Sequence, residues 1–379
     1  MIFYLIGKKI FLNQIKIKLE SQSPTLMSLI RSLKKKFRAS RQRRWNRQYD
    51  KSHVTRVENG LQILASQGKV LSGPNAKKAE EYAMEVLGSL DFAPWLKLYT
   101  AFQGEFKEGW IPDNYLGRVI CPAINGELKG ISSYKTLSKQ LLRTDALPDL
   151  AYRIKGTWLT AERIGTTLAE VKSNCFDHYP FVYLKRNFSF QGNGVFKLYP
   201  KDFEGFAFDK LGDFVIQAPI FQHPFLEEIS PGAVATLRIT TVKQNQKPAE
   251  TRLCGLRIGR RGMDYIETKG AMRIPVGPKD GKLYPFAIEA DWHLQDKHPD
   301  TGVSFAGKTI PNYATATQLC ESVHDRFPHI QLIGWDATIT TEGEVKLMEW
   351  NTDEPGIVYS ESSIGPHFQG LGWENLWKK

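Results

Sequence analysis

Residues 25–51 place Leu26, Leu29, Ile30, Leu33 and Phe37 at helical spacing with cations filling most positions between them, which predicts a basic amphipathic helix. Helical patterning continues over 56–100, as "VENGLQILASQGKVL" and then, after Gly73-Pro74, "NAKKAEEYAMEVLGSL". From about residue 109 the pattern changes to short strands and turns: "GWIPDNYLGRVICPAINGEL" is punctuated by Pro and Gly. It leads into a predicted helix, "SSYKTLSKQLLRTDAL", which Ser132 or Ser133 would cap. Strands are predicted on both sides of the loop in "PFVYLKRNFSFQGNGVFKLYP", and in "GDFVIQAPIFQH", "VATLRITTVKQ" and "RLCGLRIGRRG". Residues 311–327 read as a helix and 331–351 as two strands around a turn. Strands and helices mix without strict alternation, which predicts an α+β fold rather than a doubly wound parallel sheet.

Composition adds little to that picture until charge is placed along the chain. The 379 residues are enough for two or three domains, with 41% hydrophobic and 24% charged residues as in an ordinary globular protein. The net charge is +11, yet residues 1–30 carry +3 and residues 31–51 carry +9, ten Lys or Arg against Asp50, which leaves 52–379 at about −1. The basicity belongs to a tail. That tail suits an anionic membrane surface or a solvated, frayed helix, and the near-neutral body argues against a nucleic-acid partner. Cys121, Cys175, Cys254 and Cys320 are widely spaced with no zinc-type pairing, which predicts reduced, buried thiols and a cytoplasmic setting. No apolar run reaches the roughly 20 residues that cross a bilayer. The opening "MIFYLI" runs straight into Gly7-Lys8-Lys9 and lacks the order of a secretory signal, with Met27 an alternative start.

Two segments carry candidate chemistry. In "VYLKRNFSFQGNGVF", Lys185 ends a strand before a loop of Ser189, Gln191, Gly192, Asn193 and Gly194. Glycines let backbone N–H groups approach phosphate oxygens while a lysine supplies a point charge. The loop also reads simply as a glycine-containing hairpin, and Lys135, in "SYKTLSKQLL", as a surface lysine. In "GWDATITTEGEVKLMEWNTDEPG", a tight turn at Glu342-Gly343 would pair Asp336 with Glu349 and Trp335 with Trp350, with Asn351 on the face of Glu349. Opposed carboxylates repel unless a cation sits between them. Carboxylates and an amide with no His or Cys suit Mg²⁺. The alternative is an exposed hairpin with charges on its wet side.

Taken in order, these segments resemble the ATP-grasp superfamily, most closely its sugar-transfer-associated branch, over about residues 105–360. "IGWDATITTEGEVKLMEWNTDEPGI", "QHPFLEEISPGAVATLRITTV" and "HPDTGVSFAGKTIP" carry the resemblance. It implies two α+β lobes gripping ATP: a basic segment over 1–55, a helical region over 56–130, a small lobe over 131–216 and a large lobe with the metal site over 217–379. It further implies that Asp336, Glu349 and Asn351 hold Mg²⁺ or Mn²⁺. Lys185 and Lys135 would reach the phosphates of ATP beneath the 189–194 loop, and "VIQAPI", with Gln217 and Ile220, would meet the adenine. Arg238 matches a basic position facing the phosphoryl group or the bound carboxylate. "MDYIETKGAMRIPVG" departs from the family pattern, so Asp264 and Gly270 receive no role, and Asp353 and Glu354 read as solvated loop charges or as additions to the site.

The implied activity is ligation of a carboxylate to an amine through an acyl phosphate, in assembly of cell-surface polysaccharide at the inner membrane face. Two alternatives remain at this stage: a phosphotransferase using His223 or His293, and a membrane-tethered scaffold.

Overall fold

The structure, a computed structural model, describes residues 24–189, 193–266 and 270–378. Readings that fall on 1–23, and those for Gln191 and Gly192, lie outside the described residues. The chain divides into two units, residues 1–55 and 56–379. A helix spans Pro24–Ser66. Of its predicted apolar stripe, Phe37 is 74% exposed, while the side chains of Leu26, Leu29, Ile30 and Leu33 lie outside the described residues. No helix among the described residues is long and apolar enough to cross a membrane.

In the second unit, helices Gly73–Glu85 and Ala93–Gln103 form where the apolar spacing places them, the first capped by Ser72 and the second ended by Gly104 at φ +85°. Their buried faces join Trp95, Leu96 and Tyr99 to Trp110, Tyr115, Trp292 and Phe368 in one core.

The strands expected from about residue 109 are absent there. Residues 113–133 form a succession of helical segments, Asp113–Tyr115, Leu116–Ile120, Cys121–Asn125 and Gly126–Ser133. Pro112 precedes the first of these and Pro122 lies in the first turn of Cys121–Asn125, positions where a missing N–H costs nothing, so the prolines start helix rather than interrupt it. Burial of Tyr115, Leu116, Ile120 and Cys121 then decides the conformation. The helix expected after Ser132 is also shorter. Tyr134, at φ −85° and ψ 71°, breaks it, Lys135–Leu137 is a single 3₁₀ turn and Ser138–Leu142 the α-helical part. Ser132 caps nothing; its Oγ receives a hydrogen bond from the Thr352 N–H at 3.3 Å.

The α+β expectation holds. The described residues carry twelve strands: β1 Asp149–Ile154, β2 Thr157–Thr160, β3 Val182–Arg186, β4 Val195–Leu198, β5 Phe214–Gln217, β6 Thr236–Val242, β7 Glu250–Ile258, β8 Met272–Val276, β9 Ala287–Glu289, β10 Leu294–Gln295, β11 Leu332–Ile339 and β12 Val345–Asn351. They form a five-stranded sheet, β2-β1-β5-β3-β4, and a seven-stranded sheet, β10-β9-β8-β7-β6-β11-β12. Every pairing between adjacent strands is antiparallel. One face of the large sheet buries Leu237, Ile239, Leu256, Ile274, Trp335 and Trp350 in a core shared with the helix Tyr313–Asp325. Trp335 and Trp350 stack at 6.3 Å there, and their indole N–H groups donate to Thr241 and Ser138. Alternation then sends the residues between them to the other face.

The β11–β12 hairpin departs from expectation in its turn and meets it at the acids. The loop has three residues, 341–343, closed by hydrogen bonds from Thr340 N to Glu344 O (2.8 Å) and Gly343 N to Thr340 O (3.0 Å), with Gly343 at φ +83°. Ala337 accordingly pairs with Leu347 and Ile339 with Val345, one position off the two-residue register. A bulge at Met348 then restores the count, so Asp336 faces Glu349 and Trp335 faces Trp350.

Candidate active site

Register builds the site. On the face of the large sheet away from its core, Glu349 lies opposite Asp336, Asp336 opposite Arg238 and Arg238 opposite Gly255. One pair further along, Thr236 lies opposite Arg257, and Arg257 opposite Arg273. The strands thus set two acids and three arginines side by side. A cavity of about 570 Å³ opens above Asp336, Glu349, Arg238 and Arg257, walled by Tyr183, Lys185 and Val195 from the small sheet and by Asp264, Tyr265 and Ile266 from the loop after β7.

Within it, Asp336 is 8% exposed and takes a two-pronged contact from Arg238, Nε to Oδ1 at 2.7 Å and Nη2 to Oδ2 at 3.1 Å. Arg238 Nη1 goes to the Pro355 carbonyl. Burial alone would raise the Asp336 carboxyl; the Arg238 and Arg257 guanidiniums outweigh it and hold the group below its ordinary value. Lys135 Nζ lies 3.2 Å from Glu349 Oε1. Its 3₁₀ turn is fixed by Asn187, which accepts from Thr136 N at 3.0 Å and donates to Thr136 Oγ1 at 3.1 Å, and by Phe188 N donating to Ser133 O at 2.9 Å. Lys185 Nζ donates to the carbonyl of the bulged Met348 at 3.2 Å, and burial pushes its ammonium below the usual lysine value with partial compensation from Glu349. Arg257 lines the cavity with its Nε buried and without a hydrogen-bond partner.

Four cations, Lys135, Lys185, Arg238 and Arg257, therefore surround two carboxylates. Of the acids at the rim, Asp264 is paired with Lys197 at 2.6 Å and Asp353 with Lys129 at 3.1 Å. The cations gathered about the two inner carboxylates suit anionic ligands, polyphosphate and substrate carboxylate alike, while Glu354 adds a further acid to the lining. The donor set also fits a hard divalent cation: Asp336 and Glu349 are opposed across the ladder, and beside them Asn351 has a buried Nδ2 with no partner, leaving its amide free to turn the oxygen inward.

The structure thus brings Lys135, Lys185, Arg238, Asp336, Glu349 and Asn351 together. Ser189 does not line the cavity; its Oγ donates to Arg186 O at 2.7 Å, and Gly194, at φ +84°, closes the described end of the loop. Gln217 and Ile220 fall elsewhere. Gln217 Nε2 donates to the buried Asp149 at 2.7 Å within the small sheet, and Ile220 lines a separate cavity of about 330 Å³ at the linker. The side chain of Gln217 is therefore held by Asp149, and only the backbone of this segment is left for a base. His223 accepts from Phe225 N at a helix start and His293 pairs with Asp291 at 3.0 Å; neither lines the 570 Å³ cavity. Arg257 and Asp264 escaped the reading of the sequence as site residues. For Arg257 a signal existed, a lone cation at an alternate position in the otherwise buried "LCGLRI".

Residues 206–366 match the family model of sugar-transfer associated ATP-grasp proteins. No curated protein sequence matches the chain. Among solved structures, it is similar to N5-carboxyaminoimidazole ribonucleotide synthetase from Thermotoga maritima at 12% identity over 59% of this chain and 42% of that one, with a TM-score of 0.33. D-alanyl-alanine synthetase A from Vibrio cholerae O1 biovar eltor is similar at 13% identity over 75% and 72%, TM-score 0.40. The D-alanine-D-alanine ligase from Coxiella burnetii is similar at 11% identity over 64% and 58%, TM-score 0.36. The chain spans less than half the length of the Thermotoga protein.

Proposed function

We propose, from the match of residues 206–366 to the model of sugar-transfer associated ATP-grasp proteins, that the protein is an ATP- and Mg²⁺-dependent ligase joining a carboxylate to an amine. The observation that carries this reading is the pair Asp336–Glu349, opposed across the hairpin with Lys135, Lys185, Arg238 and Arg257 gathered about it. Asp336, Glu349 and Asn351 would hold Mg²⁺ or Mn²⁺, whose chemistry is to draw charge from the phosphoryl oxygens. Lys185 and Lys135 would bind phosphates, each exchanging a present contact, with Met348 O and Glu349 respectively, for a phosphate oxygen.

The reaction balances in two steps. A carboxylate oxygen attacks the γ-phosphorus and the bond to the bridging oxygen breaks, leaving ADP and an acyl phosphate. The amine then attacks the carbonyl, phosphate leaves and the nitrogen loses a proton. The wall formed by Asp264–Ile266, tied to the small sheet by Lys197 and by Tyr183 Oη donating to Asp264 O at 3.2 Å, would keep water from the acyl phosphate.

The proposed carboxylate is a sugar acid and the proposed amine an amino acid, in polysaccharide assembly, as the resemblance of the sequence implies; the family description itself says only that its members are associated with sugar transfer. ADP release should then require both together, with a product whose mass is their sum less water. Full-rate ADP release with no amine present, and a phosphorylated product, would replace the ligase by a phosphotransferase.

The ten cations of residues 31–51 suit an anionic inner-membrane surface, each contributing about 1 kcal/mol near such a surface. Full-length protein should co-sediment with phosphatidylglycerol-containing vesicles at low salt, and a chain beginning at residue 56 should not; equal sedimentation of the two rules out the anchor.

A further inference from the structure

Arg238 is the basic residue to which the sequence assigned the phosphoryl group or the substrate acid, yet its guanidinium is fully engaged, two nitrogens on Asp336 and the third on Pro355 O. Arg257 is different. It is a diagonal neighbour of Arg238 across β6–β7, about 7–8 Å away by backbone spacing, and it lines the same cavity. Its Nε is buried without a hydrogen-bond partner, and no carboxylate among the described residues forms an ion pair with it.

Behind it, directly across the β7–β8 ladder, stands Arg273. Arg273 packs over the Tyr359 ring at 4.5 Å and donates to Ala271 O at 3.2 Å; it too makes no carboxylate ion pair among the described residues. Like charges directly opposite each other destabilise a sheet. Asp336 and Glu349 each have a cation in direct contact, Arg238 and Lys135, whereas neither arginine of this pair touches a carboxylate among the described residues, and Asp336 and Glu349 act on Arg257 only through space. A guanidinium presents a planar fork that matches a carboxylate in two-point contact. The chain after β12 packs against β7 near this pair: an added Cβ at Gly255 would sit 3.4 Å from Ser360 Oγ.

We propose that Arg257, reinforced by the field of Arg273, binds the carboxylate of the acid substrate, while Arg238 serves to hold Asp336. The proposal rests on the ligase reading above. It makes Arg257 a substrate-binding residue and restricts the acid to one that reaches past Asp336 toward β7.

The test is calorimetric titration of malonate into the full-length protein saturated with MgADP, alongside titration of MgADP alone. Arg257→Gln should weaken malonate about ten- to a hundredfold, the range for loss of a charge-assisted hydrogen bond, and leave MgADP affinity within about twofold. Arg257→Lys, which retains the charge without the fork, should recover part of the loss and guards against a Gln variant that does not fold. Arg273→Met should weaken malonate less than Arg257→Gln does. Malonate binding equal to wild type in Arg257→Gln overturns the proposal, as does a wild type that takes up no malonate. Equal losses of malonate and MgADP also overturn it, because Arg257 would then belong to the nucleotide. Failure of wild type to bind MgADP is a separate result and removes the ligase reading itself.

Discussion

Asp336→Asn should abolish Mg²⁺-dependent ADP release and also destabilise the protein by about 3–5 kcal/mol, the cost of breaking a buried ion pair from one side. Both effects come from one geometry. Asp336 is 8% exposed and takes both Nε and Nη2 of Arg238, so the amide leaves a largely buried guanidinium without its counter-charge and removes one carboxylate from the proposed metal site. Turnover should fall at least about 10²–10³-fold, the scale of losing a single preorganised electrostatic contact. Urea unfolding and ADP release separate the two effects, because Arg238→Met combined with Asp336→Leu should regain much of the stability and none of the activity. Unchanged stability in Asp336→Asn would show that the pair is not holding the sheet face.

The same pair fixes a pH dependence. The Asp336 carboxyl lies below its ordinary value in the folded protein. The folded state therefore binds this proton less readily than the unfolded chain, so the pair's contribution is complete above the unfolded value of about 3.9 and is lost as pH falls through the lower folded value. Asp336→Asn should lack that acid-limb loss.

Lys185→Met should show the opposite combination. Turnover and MgADP binding should fall, turnover by about 10²-fold or more, while thermal stability stays level or rises. Burial pushes the Lys185 ammonium below its usual value, and its hydrogen bond goes to a neutral carbonyl, that of Met348. Holding the charge there costs folding free energy that an apolar side chain of similar length does not incur. The unfolded chain keeps the proton to higher pH than the folded state does, so wild-type stability should rise with pH from the folded value toward about 10.4, and Lys185→Met should lack that slope. A variant with lower stability and intact nucleotide binding would place Lys185 in the scaffold. Melting temperature against pH, with MgADP titration, distinguishes the outcomes.

How far the site was legible in the sequence depends on the distance over which each inference had to act. Alternation along β11 and β12 put Asp336, Glu349 and Asn351 opposite a tryptophan-bearing core face, because one face of a sheet is decided by its own residues. The turn was not legible. Thr341, Glu342 and Gly343 form three-residue and two-residue loops with equal ease, and the choice is influenced by Asn312, whose Nδ2 donates to Gly343 O at 2.7 Å from another part of the chain. The expected pairing of Asp336 and Glu349 was reached because the misread turn and the unseen bulge cancel. In residues 113–133, proline and glycine were read as breaks while burial of Tyr115 and Ile120 decided for helix, a tertiary effect that spacing does not carry. Gln217 illustrates the same limit, since its partner Asp149 lies 68 positions away in sequence.

The Met348 bulge makes the length of the hairpin a property shared between its two ends. The loop at 341–343 and the extra residue at 348 are separated by the paired run Val345–Leu347, yet only their sum determines which way Glu349 points. An insertion or deletion at either place alone would turn Glu349 toward the core and Trp350 into the cleft. A matched change at both would leave the acids where they are. Relatives with this site are therefore free to vary the turn and the bulge together, as a compensating pair, but not one at a time.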